Sequence, residues 1–540
     1  MDVQARKVGA TTSLGWRVAL GLVLLLALAL RLKGIHNPLL DHPGWRQGDT
    51  AAIARNFALL QYNILYPQTS YDGPPPNYVE LELQIVPFLA ATLYKIFGVH
   101  EIFGRLITMT FSIGTVAVLA FFARWLFADE LAGFFTALLF AIMPGSIYYG
   151  RTFTPDATMV FFLTAALYAV ARLVIDDEAM GIRATLRSTI LLAAAFLAKP
   201  VSLAGLVPLG VLLAERARSG RTMPWPRVAA VALLPVLLLF AYDRNVASHA
   251  EWHWASGITS LHVIPSLRNA LADRDAFVAK LTHFRQMLGV LAGTVSGPFP
   301  FGIAIAGLLF LPAQTRSRSL LWGWLAGGLL YIYVVVTVER VDYYMLLMLP
   351  PLALAGGAAL ARIAERLRAS ARSLAAKYAG AAAVALVLAC ALVQDRSIVA
   401  PYYHYNPLVY RNAVALNATL PPAALIVMGH YDPSILYYIG RYGWEEDPYL
   451  WTTFDEQSAI RKGARYFIAI ERNRFARNVE LCAWMQRFPV VNGAAQWPVY
   501  QTDPTMTVRG AEQQWRMFRR AEKGGHARKW LRARGLCAPS

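Results

Sequence analysis

The chain has 540 residues, with 51 lysines and arginines against 33 aspartates and glutamates, a formal charge of +18 and 56% hydrophobic residues. Soluble globular chains run at about 45–50% apolar and about 25% charged, so a content of 16% charged residues excludes both an ordinary soluble enzyme and a disordered chain. The basic surplus sits between apolar runs, the pattern of cytoplasmic membrane loops rather than of a nucleic-acid face. Cys390, Cys482 and Cys537 are too few for a disulfide scaffold and show no zinc spacing.

Apolar runs near bilayer length recur up to residue 395. About 11 spans are predicted, near 16–34, 102–126, 132–149, 156–174, 188–200, 201–215, 228–243, 290–311, 320–338, 343–361 and 378–395. The first resembles a signal peptide, but its small residues Ala27-Leu28-Ala29 lie within the apolar run, so it reads as an uncleaved anchor. The pair around Lys199-Pro200 is short and reads as a broken or re-entrant hairpin. With the N-terminus cytoplasmic, the inside segments hold Arg6, Lys7, Arg17, Arg124, Arg172, Arg183, Arg187, Arg216, Arg218, Arg316, Arg318, Arg362, Arg366 and Arg372 among others. The alternate loops are poorer in cations, and an odd number of spans leaves the C-terminus outside.

Two outer segments are long. Residues 36–101 predict helices over Asp49–Leu60 and Val79–Phe97, the second interrupted by Pro87, both suited to lying flat on the membrane. Residues 244–288 carry Glu251-Trp252-His253-Trp254, an interfacial aromatic patch. After 395 the composition turns polar, and 396–540 predicts a soluble outer domain. Strands at Ala424–Gly429 and Arg465–Ile470 alternate with helices at Pro433–Gly440 and Glu456–Gly463, the pattern of a small α/β unit with a partly parallel sheet. Arg516–Arg534 forms a basic tail. Cys482 and Cys537 both fall outside and are able to pair.

Two acids stand where an outer active site belongs. Asp49 ends the run His42-Pro-Gly-Trp-Arg-Gln-Gly-Asp. A carboxylate there serves as general base for an acceptor hydroxyl, or simply caps the following helix. Asp156 ends Gly150-Arg151-Thr-Phe-Thr-Pro-Asp and enters an apolar run, which is costly without a partner or a task; capping is again the alternative. Three cations suit a phosphate: Arg105, Lys199 and Arg340. Lys199 lies deep in an apolar hairpin, where an isolated ammonium is costly, so an anionic partner or snorkelling is expected. Arg105 also reads as a span anchor, and Arg340 as a partner for Asp342. Glu80 and Glu82 would not share a helix face, so at most one points inward. His253, His262, His283, His404 and His430 show no metal-ligand spacing, and no phosphate loop, nucleophile elbow or dinucleotide fingerprint occurs.

Taken in order, these segments resemble the C-type (GT-C) membrane glycosyltransferases, in particular the bacterial branch of the dolichyl-phosphate-mannose protein mannosyltransferase family, which includes the lipid A aminoarabinose transferase. Trp45-Arg-Gln-Gly-Asp49 through Phe57 resembles the first-loop motif, Val79-Glu-Leu-Glu82 through Gly98 the flat second helix, and Glu101 to Arg105 the start of the next span. Gly150 to Asp156 resembles the second acidic motif, Phe196-Leu-Ala-Lys199-Pro the Lys-Gly-Pro region, and Asp342-Tyr343-Tyr344 through Pro351 the late Tyr-Tyr…Pro motif. Tyr437 to Arg441 and Gly463 to Phe467 resemble the outer domain of many members.

The resemblance implies a polytopic α-helical protein that moves a sugar from a polyprenyl-phosphate carrier to an envelope acceptor on the outer face of the inner membrane, with inversion and without a metal or cofactor. It implies Asp49 as base and Asp156 as second acid. Lys199, with Arg105 or Arg340, would hold the carrier phosphate, and Arg151, Tyr343, Tyr344, Glu80 and Glu82 would line the substrate. Two positions depart from the pattern. The Asp-Glu pair of eukaryotic members is Asp49-Thr50 here, and the Glu-Lys-Pro-Pro of the aminoarabinose transferase is Asp72-Gly-Pro-Pro, which removes a lysine contact. A transporter or flippase of lipid-linked glycan is the alternative, but paired half-repeats are not found. A scaffold for envelope polysaccharide with a decayed site is the third reading; intact Asp49 and Asp156 weigh against it.

Overall fold

A computed structural model describes residues 13–176, 181–222, 224–370, 374–491, 496–534 and 537. The expected inside cations Arg6, Lys7 and Arg372 fall outside these residues. The first span, α1 (Leu14–Arg31), starts where Ser13 accepts from the Trp16 amide; its 18 residues reach about 27 Å, a bilayer core. The segment expected as the first outer loop then builds α2 (Gly44–Leu59), the short strand β1 (Val79–Glu80) and α3 (Ile85–Phe97). Helices α4 (Ile102–Phe127), α5 (Glu130–Ile142), α6 (Pro144–Tyr149), α7 (Asp156–Ile175) and α8 (Ile182–Ala198) follow.

Among the described residues, eight helices are long and apolar enough to cross a membrane, or nine if the bent pair Arg274–Val295 and Pro298–Leu309, which turns by 111°, is one span. The predicted count of 11 is not reached on this measure. The run at 132–149 is divided, because Pro144 has no N–H to continue α5. The run at 188–200 is the 17-residue α8. Both pack inside the bundle: Gly133 of α5 lies against the Ala120 carbonyl of α4, and Gly357 against Thr136, the close approach that small residues allow between membrane helices. The break at Lys199-Pro200 is present. The residue before a proline avoids the helical region; Lys199 is extended, at φ −165°, between α8 and a tight turn over Pro200–Gly205.

The first outer loop differs from expectation in two ways. Helix α2 begins five residues before Asp49 and is buried over most of its length, between α3 and the outer-domain helix Pro433–Ile439. Helix α3 begins only at Ile85, so Pro87 sits in its first turn, where an amide N–H has no intrahelical partner to lose. Val79–Glu80 instead pairs in parallel with β2 (Trp252–His253), joining the two long outer segments. Glu80 ends that strand and Glu82 lies in the bend after it, and both are buried; the expectation of one inward glutamate rested on a helix that is not there.

Residues 396–540, expected as the outer domain, carry the expected α/β pattern. Strands β3 (Leu425–Met428), β4 (Tyr442–Glu445), β5 (Ala464–Ile468), β6 (Val490–Val491) and β7 (Val499–Gln501) form one sheet in the order β4-β3-β5-β7-β6. The β4, β3 and β5 strands are parallel, and β7 and β6 add antiparallel neighbours. Cys482 and Cys537 form a disulfide. The parallel edge docks on the first outer loop. The Gly73 amide donates to the Gly443 carbonyl at 2.8 Å, the Tyr442 hydroxyl to Asn56 Oδ1 at 2.8 Å, and the Leu39 amide to the Tyr438 hydroxyl at 2.7 Å.

Candidate active site

Asp49 lies in the interior of α2 and therefore caps nothing; the residue before the helix is Pro43. Its side chain is 7% exposed, and Oδ1 has no hydrogen-bond partner among the described residues. Burial pushes the carboxyl up to about 7, against the opposing pull of the Arg46 charge and of a hydrogen bond from Tyr71. The outer domain adds to this field: Glu445 is raised well above the carboxylate range by burial and by Asp49. Asp72 rises to about 7 by burial and by Glu446.

Arg46 precedes Asp49 by one helical turn and is ion-paired with Glu82. Asp156 opens α7 without a capping bond; it is fully buried and ion-paired with Lys199. Its other oxygen, Oδ2, has no partner among the described residues. The Lys199 ammonium sits 5.1 Å from the centre of the Tyr343 ring and 4.5 Å from that of Tyr344, a cation–π geometry. Tyr344 is within electrostatic reach of Arg46, Glu82 and Asp156. Arg46 thus lies among Asp49, Glu82, Tyr343 and Tyr344, and the two tyrosines join it to the Lys199–Asp156 pair. The open carboxylate oxygens of Asp49 and Asp156 are proton acceptors, and Arg46 and Lys199 are cations held ready by counter-ions.

The other predicted site residues lie elsewhere. Arg105 and Arg151 are both fully buried and both grip Asp41, at 3.2 and 2.6 Å. They also donate to the Gly34 carbonyl at 2.6 and 3.0 Å. Glu80 accepts from the Ser256 hydroxyl at 2.6 Å and approaches His253 Nδ1 at 3.3 Å, so it ties the two outer segments together. Arg340 is exposed and lies on His283 at 2.9 Å, while Asp342 faces His42, Tyr149 and Tyr402 instead. Among the described residues no group of three or more His, Cys, Asp or Glu side chains is arranged to hold a metal.

Sequence reasoning missed Arg46, Tyr71, Asp41 and Arg31. Arg46 had a local signal, the three-residue offset from Asp49 on one helix face. Arg31, buried with Ser112 at 2.8 Å and Ser146 at 2.6 Å, looks in sequence like any cation at the end of a span. Tyr71 and Asp41 reach their partners only through the folded loop.

Residues 84–241 match the family model described as dolichyl-phosphate-mannose-protein mannosyltransferase. That stretch includes Arg105, Arg151, Asp156 and Lys199 but stops short of Asp49. No curated protein matches the chain by sequence. Among solved structures, ArnT from Cupriavidus metallidurans bound to undecaprenyl phosphate is similar with a TM-score of 0.59 at 15% identity, over 91% of this chain and 98% of that one. The archaeal oligosaccharyltransferase AglB from Archaeoglobus fulgidus, in complex with an inhibitory peptide and a dolichol-phosphate, is similar with a TM-score of 0.55 at 12% identity, over 91% of this chain and 74% of that one. With eight or nine apolar helices among the described residues and a chain-length likeness to these structures, the chain is a multi-pass membrane protein that shares their GT-C fold.

Proposed function

We propose that the chain transfers a hexosyl or pentosyl group from a polyprenyl-phosphate carrier to an envelope protein, lipid or glycan on the outer face of the inner membrane, with its N-terminus cytoplasmic. The observation that carries this reading is the Asp49 carboxyl: buried, unpartnered at one oxygen and raised to about 7. A base is most effective when its pKa lies near the working pH. In the reaction, the acceptor hydroxyl attacks the anomeric carbon as Asp49 takes its proton. The bond from that carbon to the phosphate oxygen breaks, and the carrier leaves as its phosphate with inversion.

Charge develops on that phosphate, and fixed cations stabilise it as it forms. Lys199 and Arg46 suit this task. Each is ion-paired, with Asp156 and Glu82, so a phosphate would share or displace those carboxylates. The undecaprenyl phosphate bound to ArnT and the dolichol-phosphate bound to AglB support a lipid-phosphate carrier for this fold. The test reconstitutes the purified chain in vesicles with a labelled polyprenyl-phosphate sugar and an envelope extract. Label should pass to the extract with wild type and stay on the carrier with Asp49→Asn; full transfer by that variant would refute the role of Asp49. Comparing glycolipids and glycoproteins of cells with and without the gene identifies the acceptor.

A further inference from the structure

His42 stands between Asp41 and the start of α2, and its backbone is held from both sides. Its amide donates to the Tyr402 carbonyl at 3.0 Å, and its carbonyl accepts from the Tyr148 hydroxyl at 2.5 Å. The ring stacks on Tyr402 at 4.4 Å between centroids, yet the side chain is 42% exposed. Behind it lies Asp342, whose Oδ1 accepts from the Tyr149 hydroxyl at 2.6 Å and whose Oδ2 accepts from the Tyr402 hydroxyl. His42 Nε2 is 3.0 Å from the Tyr149 oxygen and 3.5 Å from Asp342 Oδ1.

These bonds settle the tautomer of the neutral ring. The Tyr149 proton is committed to Asp342, so Nε2 must carry the hydrogen and donate it to Tyr149. Nδ1 is then left with a bare lone pair and no partner among the described residues. A carboxylate behind a histidine fixes which ring nitrogen is open. A ring merely filling space has no need of two backbone anchors, an orienting carboxylate and an open nitrogen on a side chain that is 42% exposed.

Building on the transfer reading, we propose that His42 is an acceptor-binding residue, whose Nδ1 receives a hydrogen bond from a hydroxyl group of the incoming acceptor. Asp342, Tyr149 and Tyr402 are positioning residues that hold it. The groups facing the ring are Asp342, Tyr148, Tyr149 and Tyr402.

The test uses the full chain in nanodiscs. With isotope-labelled histidines and His42→Phe for assignment, the wild-type ring should show the Nε2–H tautomer, and the hydroxyl probe methyl α-mannoside should shift its Nδ1 signal. His42→Phe keeps the aromatic stack; it should raise the apparent KM for an envelope-extract acceptor about tenfold and leave kcat and the KM for the carrier sugar within about twofold. His42→Asn, whose amide oxygen can stand in for Nδ1, should recover much of that loss. An Nδ1–H tautomer, no response to methyl α-mannoside, a raised KM for the carrier instead of the acceptor, or equal impairment of both variants with a lowered melting temperature would each overturn the assignment. Should the wild type move no label at all, the transfer reading fails, while the tautomer and the mannoside titration still decide His42.

Discussion

Asp41 and Asp49 lie eight positions apart in one outer loop, both buried and both beside arginine, yet their surroundings are opposite. Asp41 is saturated: Oδ1 takes Gln47 at 2.8 Å and Arg105 at 3.2 Å, and Oδ2 takes Arg151 at 2.6 Å and Asn37 at 3.2 Å. Asp49 keeps Oδ1 open, and Asp432 and Asp72 add to the burial that raises its pKa. A buried carboxylate whose acceptor sites are all engaged by donors has no capacity left for chemistry. One that is desolvated and incompletely bonded exchanges a proton near neutrality. Burial of charge alone therefore does not mark a catalytic acid.

Substitutions that sharpen this contrast can be ordered by expected size. Asp49→Asn should lower sugar transfer by about two to four orders of magnitude, the scale of a lost general base, with the fold retained. The wild-type rate should rise with pH through about 7 as Asp49 loses its proton. The sign for stability is opposite. A carboxyl raised above its unfolded value contributes stability that is full below about 4 and lost as pH rises through about 7, so Asp49→Asn should melt higher than wild type at pH above about 7. Asp41→Ala should instead cost about 3–5 kcal/mol, because two buried guanidinium groups lose their counter-ion; thermal unfolding in detergent reads this.

Lys199→Met should lower transfer about ten- to a hundredfold by removing a cation from the leaving phosphate. Pairing it with Asp156→Asn should restore stability without restoring activity, a separation that a double-mutant cycle measures. Gly48→Ala comes next: its methyl group would overlap the Ser434 backbone, so it should cost about 1–3 kcal/mol and loosen the outer domain from α2, seen as protease sensitivity of the 425–445 region. Arg340→Gln should be the smallest effect, within about twofold in transfer, because the side chain is exposed and lies on His283.

The bundle and the outer sheet were legible because their signals are local. Apolar runs of bilayer length, a proline after Lys199, and the alternation of strand and helix after 395 each act within a few residues. The acids Asp49 and Asp156 were legible for the same reason, being isolated charges beside apolar sequence. The predicted helix from Val79 was lost to a long-range pairing with Trp252–His253, which no local pattern encodes. Burial of α2 on both faces required an outer domain almost 400 residues further along the chain.

The roles of the arginines divide along the same line. Sequence by itself set the class of the protein, its outer acidic loop and the residue types able to bind a phosphate. It could not say that Arg105 and Arg151 spend their charge on Asp41, that Arg340 turns outward to His283, or that Arg46 stands in the middle of the site. An arginine side chain reaches far enough to choose among several carboxylates, and that choice depends on three-dimensional distance and desolvation. Tertiary structure therefore decided which charges are saturated and structural, and which remain open for reaction.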